Sequence, residues 1–411
     1  MFQRDIEKKL LEALHEYEVI LLFGLPKSGK SVLLDRLFPK GYSRVTLKDE
    51  DDCFLANTNP KQFLEFYPLP IVIDDLERAP LLAETLLDKF QKEKKKKPND
   101  NIKTKYFLTL YDAPLLKRFR IALGDKVKVF YLSSPTYLEE KGVLASERWS
   151  DPSSTLLKTS VNENLFFDRK KGFERIFNGS FFYDASQSRD EFFKDFVDTL
   201  ILKCVSELKA IAKEAKFRNL LFTLSLRNGT YLQYDELGEI LDLDVRTVKR
   251  WIDTLVGYRI VAFVDPLLPE ISKRVIKTPK FYFLDTGLCS YLARYKDAES
   301  LAFGPDASRM LESYAFIEMH KHFSNEDLDP RNVVFFYSDI DKRAVTFLVF
   351  LDEKIYPIYI DSYFLSRDIA KDMKALRKYP YIVRKPIQLS FSIAPKEEEG
   401  VFELPFWSIG L

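Results

Sequence analysis

Short apolar runs alternate with amphipathic segments along the first third of the chain. The apolar runs predict five strands, at Val19–Phe23, Arg44–Leu47, Leu69–Asp74, Tyr106–Leu110 and Val127–Leu132. Apolar residues at helical spacing predict helices between them, over Ser31–Phe38, Pro60–Phe66 and Ala113–Leu123. Because this alternation is typical of a parallel sheet covered by helices, we expect an α/β core that ends near residue 135.

The pattern changes in the middle of the chain. Residues 146–160 are polar and rich in turn formers, which indicates a linker. Apolar residues then recur at helical spacing from Arg189 to Phe222, so we expect an all-helical, lid-like region. The lysine run at Lys94–Lys97, followed by Pro98 and Asn99, indicates a solvated loop more than a nucleic-acid patch.

A helix-turn-helix pattern follows this helical region. We predict a helix over Tyr234–Leu241 and, after a short turn, a second helix over Val245–Val256 with Asp244 as its N-cap. Strands predicted at Ile260–Val264 and Lys280–Leu284 would form a wing. The second helix carries three cations, Arg246, Lys249 and Arg250, but three acids accompany them, Asp242, Asp244 and Asp253. The charges therefore leave a DNA partner and a protein partner both open.

The last hundred residues predict a small α/β domain of their own. A helix begins near Ser308, and strands are expected at Val333–Tyr337, Val345–Leu351 and Ile355–Ile360, before a helix over Arg367–Lys378. The chain thus divides into four predicted segments: a core (1–145), a linker with a helical lid-like region (146–225), a winged helix-turn-helix (226–295) and the C-terminal α/β domain (296–411).

A phosphate-binding motif stands between the first strand and the first helix of the core. It reads Gly24-Leu25-Pro26-Lys27-Ser28-Gly29-Lys30-Ser31, followed by Val32. The two glycines allow a tight turn whose N–H groups face phosphate oxygens, and the helix dipole adds positive potential. Lys30 is expected to reach the β- and γ-phosphates of ATP or GTP, and the Ser31 hydroxyl to bind Mg²⁺. The motif indicates a nucleotide site built from residues 24–32.

Two acids follow the third predicted strand, in Ile71-Val72-Ile73-Asp74-Asp75. An apolar strand that ends in carboxylates is the usual partner of a phosphate loop. We expect Asp74 to hold Mg²⁺ together with Ser31, and Asp75 to orient or deprotonate the attacking water. Because Asp is shorter than Glu, its positioning of that water is expected to be poor.

Composition limits the class of protein without naming a partner. The chain has 411 residues, 30% of them charged, and a net charge of +1, so overall charge argues neither for nor against a nucleic-acid partner. It contains no continuous apolar run of membrane-spanning length, and its first fourteen residues suit an amphipathic helix more than a signal peptide. We expect a cytoplasmic protein without a membrane partner.

Several motifs together resemble the AAA+-superfamily ATPases of archaea and bacteria that join this core to a winged helix and a C-terminal nuclease-like domain of unknown function. They are Gly24–Ser31, Ile73–Pro80 (Ile-Asp-Asp-Leu-Glu-Arg-Ala-Pro), Phe107–Thr109, Thr247–Trp251 and Pro279–Leu288. The resemblance covers nearly the whole chain. It implies an α/β P-loop NTPase core, ATP as the nucleotide, and a restriction-endonuclease-like fold at the C-terminus.

The sequence departs from that family at positions tied to hydrolysis. Tyr111 stands where the family has the serine that senses the γ-phosphate. Lys126 replaces the family's candidate arginine finger, and a lysine cannot make the bidentate fork of an arginine. Arg118 or Arg120 could substitute, and the sequence leaves this open.

The C-terminal domain has also lost most of the metal site that the resemblance implies. Glu312 fits its first position, whereas Thr346, Tyr359 and Asp361 replace its Asp, Glu and Lys. We therefore expect no nuclease activity from this domain.

These observations predict a Mg²⁺-dependent ATP-binding protein whose hydrolysis is slow or stimulated by a partner and drives a conformational change. The alternative is a hydrolysis-deficient module that is stabilised by bound nucleotide. This module would bind double-stranded DNA or a protein through the winged helix. Oligomeric state does not follow from the sequence.

Overall fold

The computed structural model describes residues 2–38, 41–93, 104–145, 165–166, 168–183, 186–209, 213–268, 275–360 and 368–409. The chain forms two compact units, Met1–Pro135 with Ser324–Asp327 and Thr136–Phe323 with Leu328–Leu411. The first unit thus ends before the predicted core boundary at residue 145. The predicted linker at 146–160 and the lysine run at Lys94–Lys97 lie outside the described residues.

The first unit contains a parallel sheet. Its strands in the described residues are β1 (Val19–Gly24), β2 (Ser43–Thr46), β3 (Ile71–Asp74), β4 (Tyr106–Leu110) and β5 (Val127–Leu132). They lie in the order β2-β3-β4-β1-β5, and each neighbouring pair is parallel. The predicted α/β core with a parallel five-strand sheet is therefore confirmed. Because β4 separates β1 from β3, the carboxyl ends of all three strands meet at one edge.

Helices cover this sheet. They are α1 (Glu7–Ala13), α2 (Lys30–Leu37), α3 (Glu50–Thr58), α4 (Pro60–Phe66), α5 (Pro80–Glu93) and α6 (Ala113–Leu123). The sequence pattern missed α3 and α5. Only Ala56 of α3 is buried, so α3 has almost no apolar face to detect. In α5, by contrast, Leu82, Leu86 and Phe90 recur every four residues and form a readable signal.

The core of this unit lies on both faces of the sheet. Strands β1, β3 and β4 are buried along their whole length, which is why they read as continuous apolar runs. On one face, Ile20 and Leu22 of β1 pack with Leu33 and Leu34 of α2. Each such buried side chain contributes about 1.5–3 kcal/mol, so the strand and helix that flank the phosphate-binding motif are firmly held.

The second unit begins with helices. Those described are α7 (Tyr137–Glu140), α8 (Arg169–Asn178), α9 (Arg189–Glu207), α10 (Glu214–Leu226), α11 (Tyr234–Leu241), α12 (Val245–Gly257), α13 (Thr286–Leu292), α14 (Ala298–Ala302), α15 (Ala307–Asn325) and α16 (Ile369–Leu376). Both predicted helix-turn-helix segments form, and the Asp244 side chain caps α12 by accepting the Arg246 N–H. Assignment of this region as a winged helix stays a prediction.

A mixed sheet completes the second unit. Its described strands are β6 (Val261–Pro266), β7 (Lys280–Phe283), β8 (Val334–Ser338), β9 (Ala344–Leu351), β10 (Lys354–Ile360), β11 (Ile382–Val383), β12 (Ile387–Ser390), β13 (Lys396–Glu398) and β14 (Val401–Pro405). The order is β13-β14-β12-β10-β9-β8-β6-β7, with β11 beside β10.

This sheet corrects one expectation. The two wing strands pair with each other, and β6 also pairs with β8 in parallel through Asp265 and Phe335. The C-terminal strands therefore extend the sheet of the wing instead of forming one of their own, and the predicted boundary at residue 296 does not separate two sheets. The sequence also missed β11 to β14, because these strands are short and β13 is wholly charged.

Across the described parts of the chain, no helix combines the length and the apolar character needed to cross a membrane.

Candidate nucleotide-binding site

The predicted phosphate loop leaves β1 and enters α2 through a tight turn. Gly29, the residue before α2, has φ +95°, and Lys27 has φ +64°, so both lie in the left-handed region. At Gly24 a Cβ atom would meet Ser28 Oγ at 2.7 Å and the Leu132 carbonyl oxygen at 3.0 Å, and only glycine fits. Among the described residues, no side chain caps the N-terminus of α2. Its first N–H groups are thus left for an anion.

Lys30 folds back onto its own loop. Its ammonium donates to the carbonyl oxygens of Gly24 at 2.7 Å and Leu25 at 3.3 Å, and the side chain is buried. Burial lowers the pKa of Lys30, while the carboxylates of Asp75, Glu77 and Asp74 act in the opposite direction. A buried cation held mainly by neutral carbonyls gains from a phosphate partner.

Ser31 and Asp74 form the contact expected of a metal site. The Ser31 hydroxyl donates to Asp74 Oδ2 at 2.7 Å, although the two residues come from different elements. The other carboxylate oxygen, Oδ1, accepts from Thr109 Oγ1 at 2.5 Å. Thr109 lies on β4, between the strands of the loop and of the acids, and its oxygen also accepts the Asp75 N–H at 2.9 Å. Thr109 thus fixes both acids at once.

Asp75 lies just beyond β3 in a left-handed conformation, with φ +60°. Its carboxylate Oδ2 is 3.1 Å from the ammonium of Lys48, which follows β2. The same ammonium donates to Ser31 Oγ at 3.3 Å. Lys48 therefore binds both the acid predicted to position water and the hydroxyl predicted to bind metal.

Glu77 is a further acid in this neighbourhood. Its Oε2 atom is buried and has no hydrogen-bond partner within the described residues. Burial raises the pKa of the Glu77 carboxyl and Asp75 adds to the rise, whereas Lys30 and the Tyr111 N–H oppose it. Tyr111, predicted at the altered sensor position, thus contributes its backbone to the site and packs its ring 6.2 Å from that of Phe23.

Arg4 holds the phosphate loop in place, and Ser28 of the loop has a hydroxyl without a hydrogen-bond partner among the described residues. The buried Arg4 guanidinium donates to the Ser28 carbonyl at 3.3 Å and to the Ser133 carbonyl at 2.9 Å, which joins the loop to the end of β5. The Ser28 hydroxyl is buried and lacks a partner in the described part of the chain. A donor without an acceptor beside the loop fits a phosphate oxygen.

These observations test whether the residues suit Mg²⁺ and a nucleotide. A loop that excludes a Cβ, unpaired N–H groups, an orphaned hydroxyl and a buried lysine all suit a polyphosphate. The hydroxyl and carboxylate oxygens of Ser31 and Asp74 are the ligands that Mg²⁺ prefers. The donor set fits both groups.

The structure brings Lys30, Ser31, Asp74 and Asp75 together, as the sequence predicts. It does not bring the candidate finger residues to them. Lys126 lies at the start of β5, 3.9 Å from Glu18 at the opposite end of the sheet. Arg118 makes a bidentate pair with Glu84 on the surface, with both distances 2.5 Å. Arg120 is exposed.

The positions predicted to have lost a nuclease site lie in the second unit. Glu312 is 3.7 Å from the Lys280 ammonium, and Thr346 and Tyr359 are buried. Asp361 lies outside the described residues. Throughout the described ranges, no cluster of three or more His, Cys, Asp or Glu side chains is arranged to hold a metal ion.

Sequence reasoning missed roles for Thr109, Lys48, Glu77 and Arg4. A signal existed for three of them, because Thr109, Lys48 and Glu77 stand near the carboxyl ends of strands that the pattern predicts, where ligands of parallel sheets bind. For Arg4 no local signal existed.

The chain is similar to proteins without an assigned role. A family model described as a domain of unknown function, DUF8612, matches residues 179–299. Two uncharacterized proteins, Rv2008c of Mycobacterium tuberculosis and Mb2031c of Mycobacterium bovis, are each 24% identical over 320 residues, which is 77% of this chain. The match spans 65% of the length of each relative.

Solved structures also match over long stretches at low identity. The Walker-type ATPase PABY2304 of Pyrococcus abyssi is 12% identical, with 71% of this chain and 96% of that chain covered, at a TM-score of 0.37. A point mutant of RuvB from Thermotoga maritima is 14% identical, with 64% of this chain and 89% of that chain covered, at a TM-score of 0.26. Cdc6p from Pyrobaculum aerophilum is 14% identical, with 63% of this chain and 85% of that chain covered, at a TM-score of 0.23. Because these scores are low, the nucleotide site is inferred from its own residues.

Proposed function

We propose that the chain binds ATP together with Mg²⁺ at the phosphate loop, and hydrolyses it slowly or when a partner stimulates it. One observation carries the proposal: Ser31 of the loop helix is hydrogen-bonded at 2.7 Å to Asp74 at the end of β3. A loop serine and a strand-end carboxylate need to meet in this way to share one metal ion. The choice of ATP over GTP rests on the family resemblance.

Each residue has a role in this proposal. Lys30 would exchange its carbonyl partners for the β- and γ-phosphates, and the loop N–H groups and the Ser28 hydroxyl would take further phosphate oxygens. Ser31 and Asp74 would hold Mg²⁺, which when bound neutralises charge that develops on the phosphates. Thr109 keeps Asp74 and Asp75 oriented. Asp75 would position water.

The slow turnover follows from the state of Asp75. Its side chain is short, and the Lys48 ammonium 3.1 Å away holds its carboxylate. A general base must be within hydrogen-bond reach of the water that it activates. The Lys48 contact engages Oδ2, so Oδ1 would position the water, and movement of the turn that carries Lys48 would couple nucleotide state to conformation.

Calorimetric titration with Mg²⁺-ATP tests the binding step. Lys30→Ala should reduce ATP affinity below detection, because it removes the cation that faces the phosphates. Lys27→Ala is the matched control: Lys27 belongs to the same loop and carries the same charge, but its side chain is exposed. The proposal fails if Lys30→Ala, folded by circular dichroism, binds ATP as tightly as Lys27→Ala.

A second candidate function, DNA binding by a hydrolysis-deficient module, is supported by a separate observation. Arg246, Lys249 and Arg250 are exposed on α12, and none has an ion-pair partner among the described residues. The nearby acid Asp242 is instead paired with Lys216 at 2.9 Å, and Asp244 is used as the cap. Two of the three acids near these cations are thus engaged elsewhere, which favours a DNA phosphate backbone.

Salt dependence distinguishes the two classes of partner. If α12 contacts duplex DNA, changing its three cations to glutamine should lower the slope of log affinity against log salt by up to about three, at roughly 0.9 per phosphate contact. An unchanged slope, or no DNA binding by the unaltered protein, would favour a protein partner. Steady-state ATPase rates with and without the DNA then separate a stimulated ATPase from a binding module.

A further inference from the structure

A cleft of about 360 Å³ opens in the second unit. It is lined by residues of α9, α10 and α13 and of the turn after α13. Its volume is in the lower part of the range for small-molecule sites, about 300–1,000 Å³. None of the residues that line it belongs to the proposed nucleotide site.

The lining is cationic. Arg189, Arg218, Arg294 and Lys296 contribute to it, against the single carboxylate of Asp190. Two of these four cations already have partners. Arg189 donates to Asp190 and to Ser290 Oγ at 2.6 Å, and Arg218 pairs with Asp198 at 2.8 Å.

The remaining donors are not used within the described protein. The Arg294 guanidinium is exposed and stacks 4.8 Å from the centre of the Phe222 ring, without a carboxylate partner among the described residues. Lys296 is exposed and forms no ion pair there either. Tyr291 packs its ring on Phe193, and its hydroxyl makes no hydrogen bond to a described residue. Burial raises the pKa of Tyr291, so this hydroxyl stays a proton donor.

These groups share one chemistry. A guanidinium, an ammonium and a phenol all donate, and none of them offers a charged acceptor. The Arg294 guanidinium lies over the Phe222 ring, and its fork of N–H groups suits the bidentate recognition of an oxyanion. A phosphate group can accept several donors at once, and a carboxylate fewer.

We propose that this cleft is a second anion site, which binds the phosphate group of a small phosphate ester through Arg294, Lys296 and the Tyr291 hydroxyl. The site is independent of the phosphate loop, and it stands whether or not the loop binds ATP.

The backbone of Arg294 offers a sharp test. Its φ is +63°, a conformation that glycine adopts without strain, so Arg294→Gly removes the guanidinium without introducing backbone strain. Lys342 is a matched control, because it is also an exposed cation with φ +61° and does not line the cleft. Both variants should have melting temperatures no lower than that of their parent.

Calorimetry at low ionic strength would use inorganic pyrophosphate and ribose 5-phosphate, with ribose as the uncharged comparison. The parent protein carries Lys30→Ala, which weakens phosphate binding at the phosphate loop, so that the variants differ only in binding at the cleft. We expect both phosphates to bind and ribose not to bind. Arg294→Gly should weaken phosphate binding at least about tenfold, the usual effect of losing a charge-assisted hydrogen bond, and Lys342→Gly should not. Absence of phosphate binding, or equal affinities in the two glycine variants, would overturn the proposal.

Discussion

Thr109→Val removes the hydroxyl that links the two acids of the nucleotide site. Thr109 is fully buried, and its oxygen donates to Asp74 Oδ1 at 2.5 Å and accepts the Asp75 N–H at 2.9 Å. Valine has nearly the same shape, so it leaves no cavity. It does leave a buried N–H without an acceptor, which costs about 1–3 kcal/mol, and a carboxylate without one of its donors, which costs about 1.5–3 kcal/mol.

Since Asp74 keeps its bond to Ser31 and the site relaxes in part, we expect a loss of about 3 kcal/mol. Thr109→Ser is the matched control. It keeps both hydrogen bonds and removes one buried methyl group, for about 1 kcal/mol.

Hydrogen exchange followed by mass spectrometry measures this effect locally, in peptides that contain residues 71–76 and 106–111. A local probe is preferable because a chain with two compact units need not unfold in one step. A loss of about 3 kcal/mol corresponds to exchange faster by roughly two powers of ten. If Thr109→Val and Thr109→Ser exchange at rates within about threefold of each other, the hydroxyl does not hold the acids and this reasoning is refuted.

Three other changes test the chemistry. Asp75→Asn suits the left-handed backbone as well as Asp does, and it should lower the steady-state ATPase rate by on the order of 10²-fold with ATP affinity nearly unchanged. If the variant and the unaltered protein both bind ATP and have equal ATPase rates, the binding module is favoured. Lys48→Met should lower the Mg²⁺ concentration for half-maximal ATP binding several-fold, because it frees Ser31 Oγ, whereas the control Lys61→Met at an exposed position should not. Since Lys48 is 58% exposed, its loss should change the free energy of unfolding by less than about 1 kcal/mol. Purified protein should cleave neither DNA nor RNA with Mg²⁺ or Mn²⁺; cleavage that disappears in Glu312→Ala would contradict this.

The sequence carries the parts of the fold that short-range chemistry specifies. Continuous apolar runs predict β1, β3 and β4 of the parallel sheet, because these strands are buried on both faces. Gly24 and Gly29, spaced as in a phosphate-binding motif, predict the phosphate loop, and the left-handed φ of +95° at Gly29 is a requirement of the local backbone. Acids directly after a buried strand predict the metal side of the site. Each of these inferences uses residues that are close together in the chain.

Tertiary structure decided which groups meet. Local pattern does not specify the order of strands, so the position of β4 between β1 and β3, which brings Thr109 onto both acids, is not written in any one segment. The same holds for Lys48, which reaches Asp75 from the end of a different strand, and for the pairing that joins β6 to β8 in one sheet. These contacts link residues far apart in sequence, and they form only because burial of the apolar runs brings the strands together. The sequence by itself therefore determined the elements and the phosphate loop, whereas the packing of those elements determined the partners of each catalytic candidate.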